Sequence, residues 1–265
     1  MQLQDLLYSQ GFGPRRVCLG LVQQGLVAVD GLRITDPFTE VDPEGLHFTV
    51  EGKPWTFQGK AYLMLHKPAG YECSQRPSAW PGIYTLLPPP LRQRPSKGSH
   101  PGVQAIGRLD QDTTGLLLLS DDGAFIHRMS SPRKHVPKVY EVGTADPVDD
   151  GQLRRLLAGV VLDDDPKPVR ASACEATSPH ALRLTLTEGK YHQVKRMIAA
   201  VGNRVVSLHR SRIGTLELPP GLAPGQWQWL DPAQLAAASE SGRISASGPP
   251  SASAASGPST TRPDE

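Results

Sequence analysis

Cysteine is scarce: Cys18, Cys73 and Cys174 are the only three in 265 residues. Three widely spaced thiols supply neither a disulfide framework nor the paired spacing of a zinc site, and they suit a reducing compartment. Long apolar runs are also missing, so nothing in the sequence reads as a membrane-spanning helix. The start, MQLQDLLYSQGFG, lacks the basic residues, apolar centre and small-residue cleavage site of a secretory leader. Strong net charge is absent as well, with 28 Lys/Arg against 26 Asp/Glu, or +2. With 38% hydrophobic and 20% charged residues, the composition is that of a soluble globular protein, and a cytoplasmic location is expected. The length allows a sizeable core and two domains.

The small net charge hides an asymmetry. Residues 1–58 carry four Lys/Arg and seven Asp/Glu, a net of −3, whereas residues 59–236 carry 22 and 16, a net of +6. A basic central block favours a polyanionic partner, although an ordinary solvated surface accounts for a surplus of this size equally well.

Residues 1–58 read as a small α/β unit. LQDLLYSQ spaces Leu3, Leu6 and Leu7 as one helical face, and RRVCLGLVQQ from Arg15 to Gln24 reads as a second helix stopped by Gly25. LVAVDGLRI is a hairpin turning at Asp30-Gly31, and GLHFTVEGKPW supplies a further strand. Two helices followed by VAVDG and a small sheet resemble the S4 RNA-binding domain. The second unit, 59–236, alternates strands (AYLMLHK, LLLLS, KVYEVGTA, ALRLTLTEG, VVSLHRSRIGTLEL) with helices (DDGAFIHRMSS capped by Asp121 or Asp122 and ended by Pro132, GQLRRLLAGV, and YHQVKRMIAAVGN). Residues 88–102, PPPLRQRPSKGSHPG, read as a mobile basic surface loop. From 237 to 265 the chain is Ser/Ala/Gly/Pro-rich, with too little apolar surface to offset its ordering entropy, and is expected to be a disordered tail. The fold class is α+β.

Three stretches carry chemistry. In AIGRLDQDTTGLLLLSDDG, Arg108 and Asp110 stand two apart, just before the run Leu116–Leu119. Four consecutive leucines predict a strand buried on both faces, and a carboxylate at its mouth has the rigid support that a nucleophile or base needs. Taken alone, an Asp before a TTG turn is more often a turn former. Asp110-Gln111-Asp112-Thr113-Thr114 also satisfies D-x-D-x-T, the pattern of magnesium-dependent phosphatases, with Asp163–Asp165 as a later acidic run for the metal, although that run reads better as a solvated loop before Pro166. In EGKYHQVKRM, helical spacing makes His192, Lys195 and Arg196 neighbours, and LHRSRIG adds Arg210 and Arg212. This reads either as a solvated basic face or as a phosphate-binding wall from which Lys195 pairs with Asp110 and keeps it ionised. In KVYEV, Tyr140 sits mid-strand with a polar tip, as half-buried packing or as a ring against a flipped base.

Taken together, GRLDQDTTGLLLLSDDG, KVYEV and EGKYHQVKRMIAAVGNRVVSLHRSRIGTLEL resemble the pseudouridine synthases, in the branch that modifies ribosomal RNA. The resemblance spans nearly all of residues 1–232. LMLHKPAGYECS, the DTTG spelling, SPRKH and LAPGQWQWL look like the RsuA-type, small-subunit subgroup. It implies an N-terminal S4-like domain and a catalytic domain on a mixed, largely antiparallel sheet. It also implies isomerisation of a specific uridine, uridine 516 of 16S rRNA, with large-subunit rRNA as the alternative substrate. A non-catalytic RNA-binding assembly protein is the alternative of another class. By the same resemblance Asp110 is the essential carboxylate, Tyr140 stacks on the base and accepts its proton, and Lys195 is the ion-pair partner of Asp110. Arg108 helps extrude the base. Lys138, Lys190, His192, Gln193, Arg196, Arg210 and Arg212 contact RNA, as do Arg15 and Arg16 of the S4 helices. No metal and no organic cofactor is implied. The partner is ribosomal RNA in a small-subunit assembly intermediate, with no membrane contact, and the protein acts as a monomer. One departure stands out: Gly20, Gln23 and Leu26 occupy S4 positions where basic residues are common, so this domain is expected to lack the usual phosphate affinity, either docking on protein or pre-formed RNA shape or leaving the 88–102 loop to compensate.

Overall fold

The computed structural model describes residues 1–96, 102–131, 134–163 and 165–240. The expected helix stop at Pro132, residues 97–101 of the basic loop and 241–265 of the tail lie outside the described residues. Among the described residues, no helix is long and apolar enough to cross a membrane.

The N-terminal unit opens with α1 (Leu3–Gln10) and α2 (Arg15–Gln23). Leu3, Leu6 and Leu7 are fully buried against Cys18 and Val22 of α2. Strands β1 (Val27–Val29), β2 (Leu32–Ile34), β3 (His47–Val50) and β4 (Lys53–Thr56) form an antiparallel sheet in the order β2-β1-β3-β4. Both hairpins turn on a residue pair with positive φ, Asp30-Gly31 and Glu51-Gly52, the pairing that two-residue turns between twisted strands favour. GLHFTVEGKPW is therefore two strands, not the one expected: the Glu51-Gly52 turn divides it.

The second unit begins with β5 (Tyr62–Lys67), a 3₁₀ turn (Ile83–Leu86) and α3 (Pro89–Gln93), then β6 (Gln104–Ile106), β7 (Thr114–Ser120) and α4 (Gly123–Ser130). It continues through β8 (Lys138–Thr144), α5 (Asp150–Ala158), β9 (Val160–Leu162), β10 (Asp165–Val169), β11 (Ala173–Ser178) and β12 (Ala181–Leu186). Then come α6 (Gln193–Ala200), β13 (Val205–Ile213), β14 (Leu216–Glu217), β15 (Trp227–Trp229) and α7 (Pro232–Ser239). The main sheet runs β11-β12-β8-β13-β7-β5-β15, with β14 on β13 and β6 on β7. Only the central β13–β7 pair is parallel, so the sheet is mixed and largely antiparallel.

The leucine run of β7 is buried on both faces. Leu117 and Leu119 join the layer containing Leu63, Leu65, Leu182 and Met197, while Leu116 and Leu118 join Met64, Phe125 and Ile213. At the head of β7, Gly115 has φ +111 and a Cβ there would stand 2.3 Å from the Arg210 carbonyl, so only glycine lets β7 close on β13.

Two expectations are corrected here. Residues 88–96 are not a mobile loop: α3 occupies 89–93, Leu91 is buried, and Arg94 is 2% exposed. Arg94 donates to Asp121 (2.6 Å), the Gln10 side chain (3.2 Å) and the Gln58 carbonyl (2.8 Å), tying the N-terminal unit to the main sheet. Asp121 is thereby engaged, and Asp122 alone caps α4, accepting from the Ala124 amide. The tail does not begin at 237 either, because Ala237–Ser239 complete α7 and Ala238 is fully buried.

Candidate active site

The loop between β6 and β7 carries Asp110. Leu109 is buried and anchors its first half, donating its amide to the Cys73 sulfur at 3.5 Å. The amide of Thr113 closes the turn onto the Asp110 carbonyl at 3.1 Å. From beneath, Lys67 at the end of β5 is fully buried and spends its ammonium on the carbonyls of Pro68, Gln111 and Thr113 at 3.0, 3.2 and 2.8 Å. Burial holds the Lys67 pKa below the ordinary lysine value, against the pull of the Cys73, Asp112 and Asp110 charges. A second tie runs from the Gly70 amide to the Gln111 carbonyl at 2.8 Å. Asp110 therefore sits on a backbone clamped from two sides. Lys67 was missed by sequence reasoning, and its one signal was a lysine closing the apolar strand AYLMLHK.

Above the loop stands α6, seated by buried Val194, Met197 and Ile198. It starts at Gln193, later than expected: His192 precedes it in the left-handed conformation, φ 48. His192 Nε2 still reaches within 3.4 Å of Asp110 Oδ1. Lys195 Nζ lies 3.2 Å from Asp110 Oδ2, and 2.7 and 2.9 Å from the two oxygens of Asp112. Burial opposes the Lys195 charge, but the bonds to Asp112 and Asp110 outweigh it and raise its pKa above the usual value. Asp112 is the reciprocal case: partial burial raises its pKa, and Lys195 pulls it down further, to a net lowering. The D-x-D-x-T reading is corrected by this geometry. A lysine ammonium occupies the space between the two carboxylates, and Asp163 does not line the cleft.

Asp110 opens on a cleft of about 740 Å³. Two of its lining residues, Tyr140 and Arg210, are neighbours in a row paired across four strands, Leu184, Tyr140, Arg210 and Gly115, continued by Lys67 on β5. Tyr140 is 9% exposed and lines the cleft, as does Lys138 at the start of the same strand. Burial, helped by the nearby Arg210 charge, pushes the Lys138 pKa down to about 8. Arg108 is exposed at the mouth, and Lys190 and His192 line the same wall.

The remaining expected RNA contacts divide. Arg196 is half-buried beside that wall, donating to the Tyr191 carbonyl at 3.1 Å. Gln193 lines the cleft but is buried, and its side chain is engaged in the turn, accepting from the Lys190 amide at 2.8 Å and donating to Glu188 at 2.9 Å. Arg210 is not part of a phosphate wall, because it is 2% exposed and its Nε donates to the Leu116 carbonyl at 2.8 Å. Arg212 lies outside the cleft, 3.5 Å from Glu217. Arg15 and Arg16 are exposed on α2 and do not line the cleft, and Arg15 pairs with Asp5 and lies over the Tyr8 ring. Sequence reasoning also missed Tyr191, an exposed ring stacked on His192 with 3.8 Å between centroids.

Residues 61–200 match the family model of the RNA pseudouridylate synthases, and residues 1–46 match that of the S4 domain. The chain is 40% identical over 234 residues to the ribosomal small subunit pseudouridine synthase A of Salmonella typhimurium, covering 88% of this chain and 97% of that protein. Identity to an RNA pseudouridine synthase of Bacillus subtilis is 38% over 239 residues, covering 89% and 97%. A crystal structure of a pseudouridylate synthase superposes with a TM-score of 0.62 at 32% identity, covering 90% of this chain and 99% of that one. The chain belongs to the RNA pseudouridylate synthase family and carries an S4 domain at its N-terminal end.

Proposed function

We propose that this enzyme isomerises one uridine of small-subunit ribosomal RNA to pseudouridine, at uridine 516 of the 16S molecule. The small-subunit assignment rests on the 40% identity to small subunit synthase A over almost its whole length. The chemical reading rests on the Asp110 carboxylate, clamped at the cleft mouth with Lys195 at 3.2 Å.

The reaction is an isomerisation and balances without a second reactant. The N1–C1′ bond breaks, the uracil turns, a C5–C1′ bond forms, C5 loses its proton and N1 gains one. Asp110 acts at the sugar, either by adding to C1′ or by taking the C2′ proton, and both routes need an ionised, positioned carboxylate. Lys195, 3.2 Å away, positions that carboxylate. Tyr140 stacks on the extruded base and takes the C5 proton. Extrusion costs a few kcal/mol of lost stacking, offset by the Tyr140 ring and by cation–phosphate contacts at the rim. Arg108 assists extrusion, while Lys138, Lys190, His192 and Arg196 face the RNA. The reading places the protein in the cytoplasm as a monomer, acting on an assembly intermediate and needing no cofactor.

Tritium at uracil C5 provides the test. Purified protein mixed with C5-tritiated small-subunit rRNA, free or in partly assembled particles, releases one tritium to water per RNA. No release from either substrate contradicts the reading, and release from large-subunit rRNA alone moves the target.

A further inference from the structure

Among the described residues, three buried side-chain polar atoms have no hydrogen-bonding partner: Arg210 Nη2, Thr113 Oγ1 and Arg212 Nε. The first two belong to residues that line the cleft beside Asp110 and Tyr140; Arg212 does not line it. Arg210 is 2% exposed and Thr113 1%. Proteins rarely leave such groups unpaired, and each that is left so calls for an explanation, a role in catalysis or a bound species among them.

The two atoms differ in chemistry. Arg210 is a donor with no capacity to accept, and its side chain is fixed because Nε is already spent on the Leu116 carbonyl at 2.8 Å. Thr113 Oγ1 is a hydroxyl and can accept. Its backbone is fixed too: the amide is bonded to the Asp110 carbonyl and the carbonyl accepts from Lys67. Arg210 also stands next to Tyr140 in the row across the sheet.

We propose that Arg210 and Thr113 read the imide edge of the extruded uracil, and so select uridine over cytidine. This rests on the pseudouridine synthase reading above. Arg210 Nη2 donates to a carbonyl flanking N3, and Thr113 Oγ1 accepts from N3–H. Cytosine opposes the Thr113 contact in either register, because its N3 is a bare acceptor, and opposes the Arg210 contact as well where that contact is to the C4 carbonyl, which cytosine replaces with an amino donor. A phosphate is the poorer occupant. The exposed Arg108 and the half-buried His192 and Lys190 meet the backbone at the rim, whereas Arg210 lies in the floor beside the ring that stacks on the base. Unlike Asp110, these residues touch the base only at its edge and take no part in bond making.

The experiment compares target RNAs carrying uridine, 2-thiouridine or 4-thiouridine at the modified position, because sulfur is a weaker acceptor than oxygen. With wild-type enzyme, one of the two sulfurs lowers the single-turnover rate or the apparent affinity by roughly ten-fold or more, as expected for loss of a charge-assisted hydrogen bond. Arg210→Met lowers turnover of the uridine RNA by a similar factor and erases the sulfur penalty. Thr113→Val weakens turnover but keeps that penalty. Wild-type indifference to both sulfurs overturns the proposal, whatever the variants do. So does a slow Arg210→Met enzyme that retains the full penalty, which is the signature of a structural role. Failure of wild-type enzyme on the uridine RNA itself would instead defeat the broader reading.

Discussion

Lys195 and Asp112 form the tighter of two ion pairs made by one ammonium: 2.7 Å to Asp112 Oδ1 against 3.2 Å to Asp110 Oδ2. Asp112 thus holds Lys195 at the cleft wall, within reach of Asp110. Lys195→Met leaves two carboxylates without their shared cation, and kcat is expected to fall by about 10²-fold, with partial recovery in Lys195→Arg. The pH dependence has a defined sign. The folded pKa of Asp112 is lowered, so its share of stability exists above the ordinary 3.8 and is lost as pH falls through the depressed value. That of Lys195 is raised, so its share exists below 10.5 and is lost as pH rises through the elevated value. Thermal unfolding should show the gap between wild type and Lys195→Met constant near neutrality and closing at both extremes. A gap independent of pH contradicts the pairing.

Lys138 behaves in the opposite way. Its pKa, lowered from 10.5 to about 8, means the unfolded chain binds the extra proton between those values. Its cost to stability is present below about 8 and is relieved as pH rises towards 10.5. Melting curves of Lys138→Met against wild type should therefore favour the variant at pH 7 and converge by pH 10.5. Affinity for the RNA substrate should fall as pH rises through about 8 in wild type and stay level in the variant.

Arg94→Met removes the partner of a buried carboxylate, since Asp121 is 7% exposed, together with bonds to Gln10 and Gln58. Breaking one side of such a pair costs about 3–5 kcal/mol, and chemical denaturation should show a loss of that order. A loss below about 1 kcal/mol would mean the pair is solvated. The same network makes deletion of the N-terminal unit a poor probe of RNA binding, because it strips Arg94 of Gln10 and Gln58. Charge reversal at the exposed Arg15 and Arg16 leaves those bonds intact and tests the S4 helices directly.

Periodic patterns were legible in the sequence. The run Leu116–Leu119 announced a strand buried on both faces, and Asp30-Gly31 announced its hairpin. The neighbourhood of Asp110, Lys195 and His192 followed from motifs some 80 residues apart only through a family resemblance, since spacing alone left the solvated-face reading open. Buried cations were not legible. Lys67 and Arg94 look like surface residues in the chain, and their burial depends on carbonyls and side chains supplied by distant loops. The same blindness put Arg210 on a phosphate wall, because one-dimensional spacing does not say which polar residues a sheet folds over. Asp112 went unnoticed as a partner of Lys195 because two carboxylates in one turn compete for one cation, and only geometry ranks them.

The proposed role of Asp110 in uridine isomerisation can be tested in the cell. The direct measurement is a pseudouridine map of ribosomal RNA from cells lacking the gene, rescued with wild type or with Asp110→Asn. Loss of the gene is expected to remove a single small-subunit pseudouridine, restored by wild type and not by Asp110→Asn. The variant protein should melt within about 2 °C of wild type, since Asp110 is partly exposed and Lys195 keeps Asp112. Restoration by Asp110→Asn, or an unchanged map on loss of the gene, would contradict it.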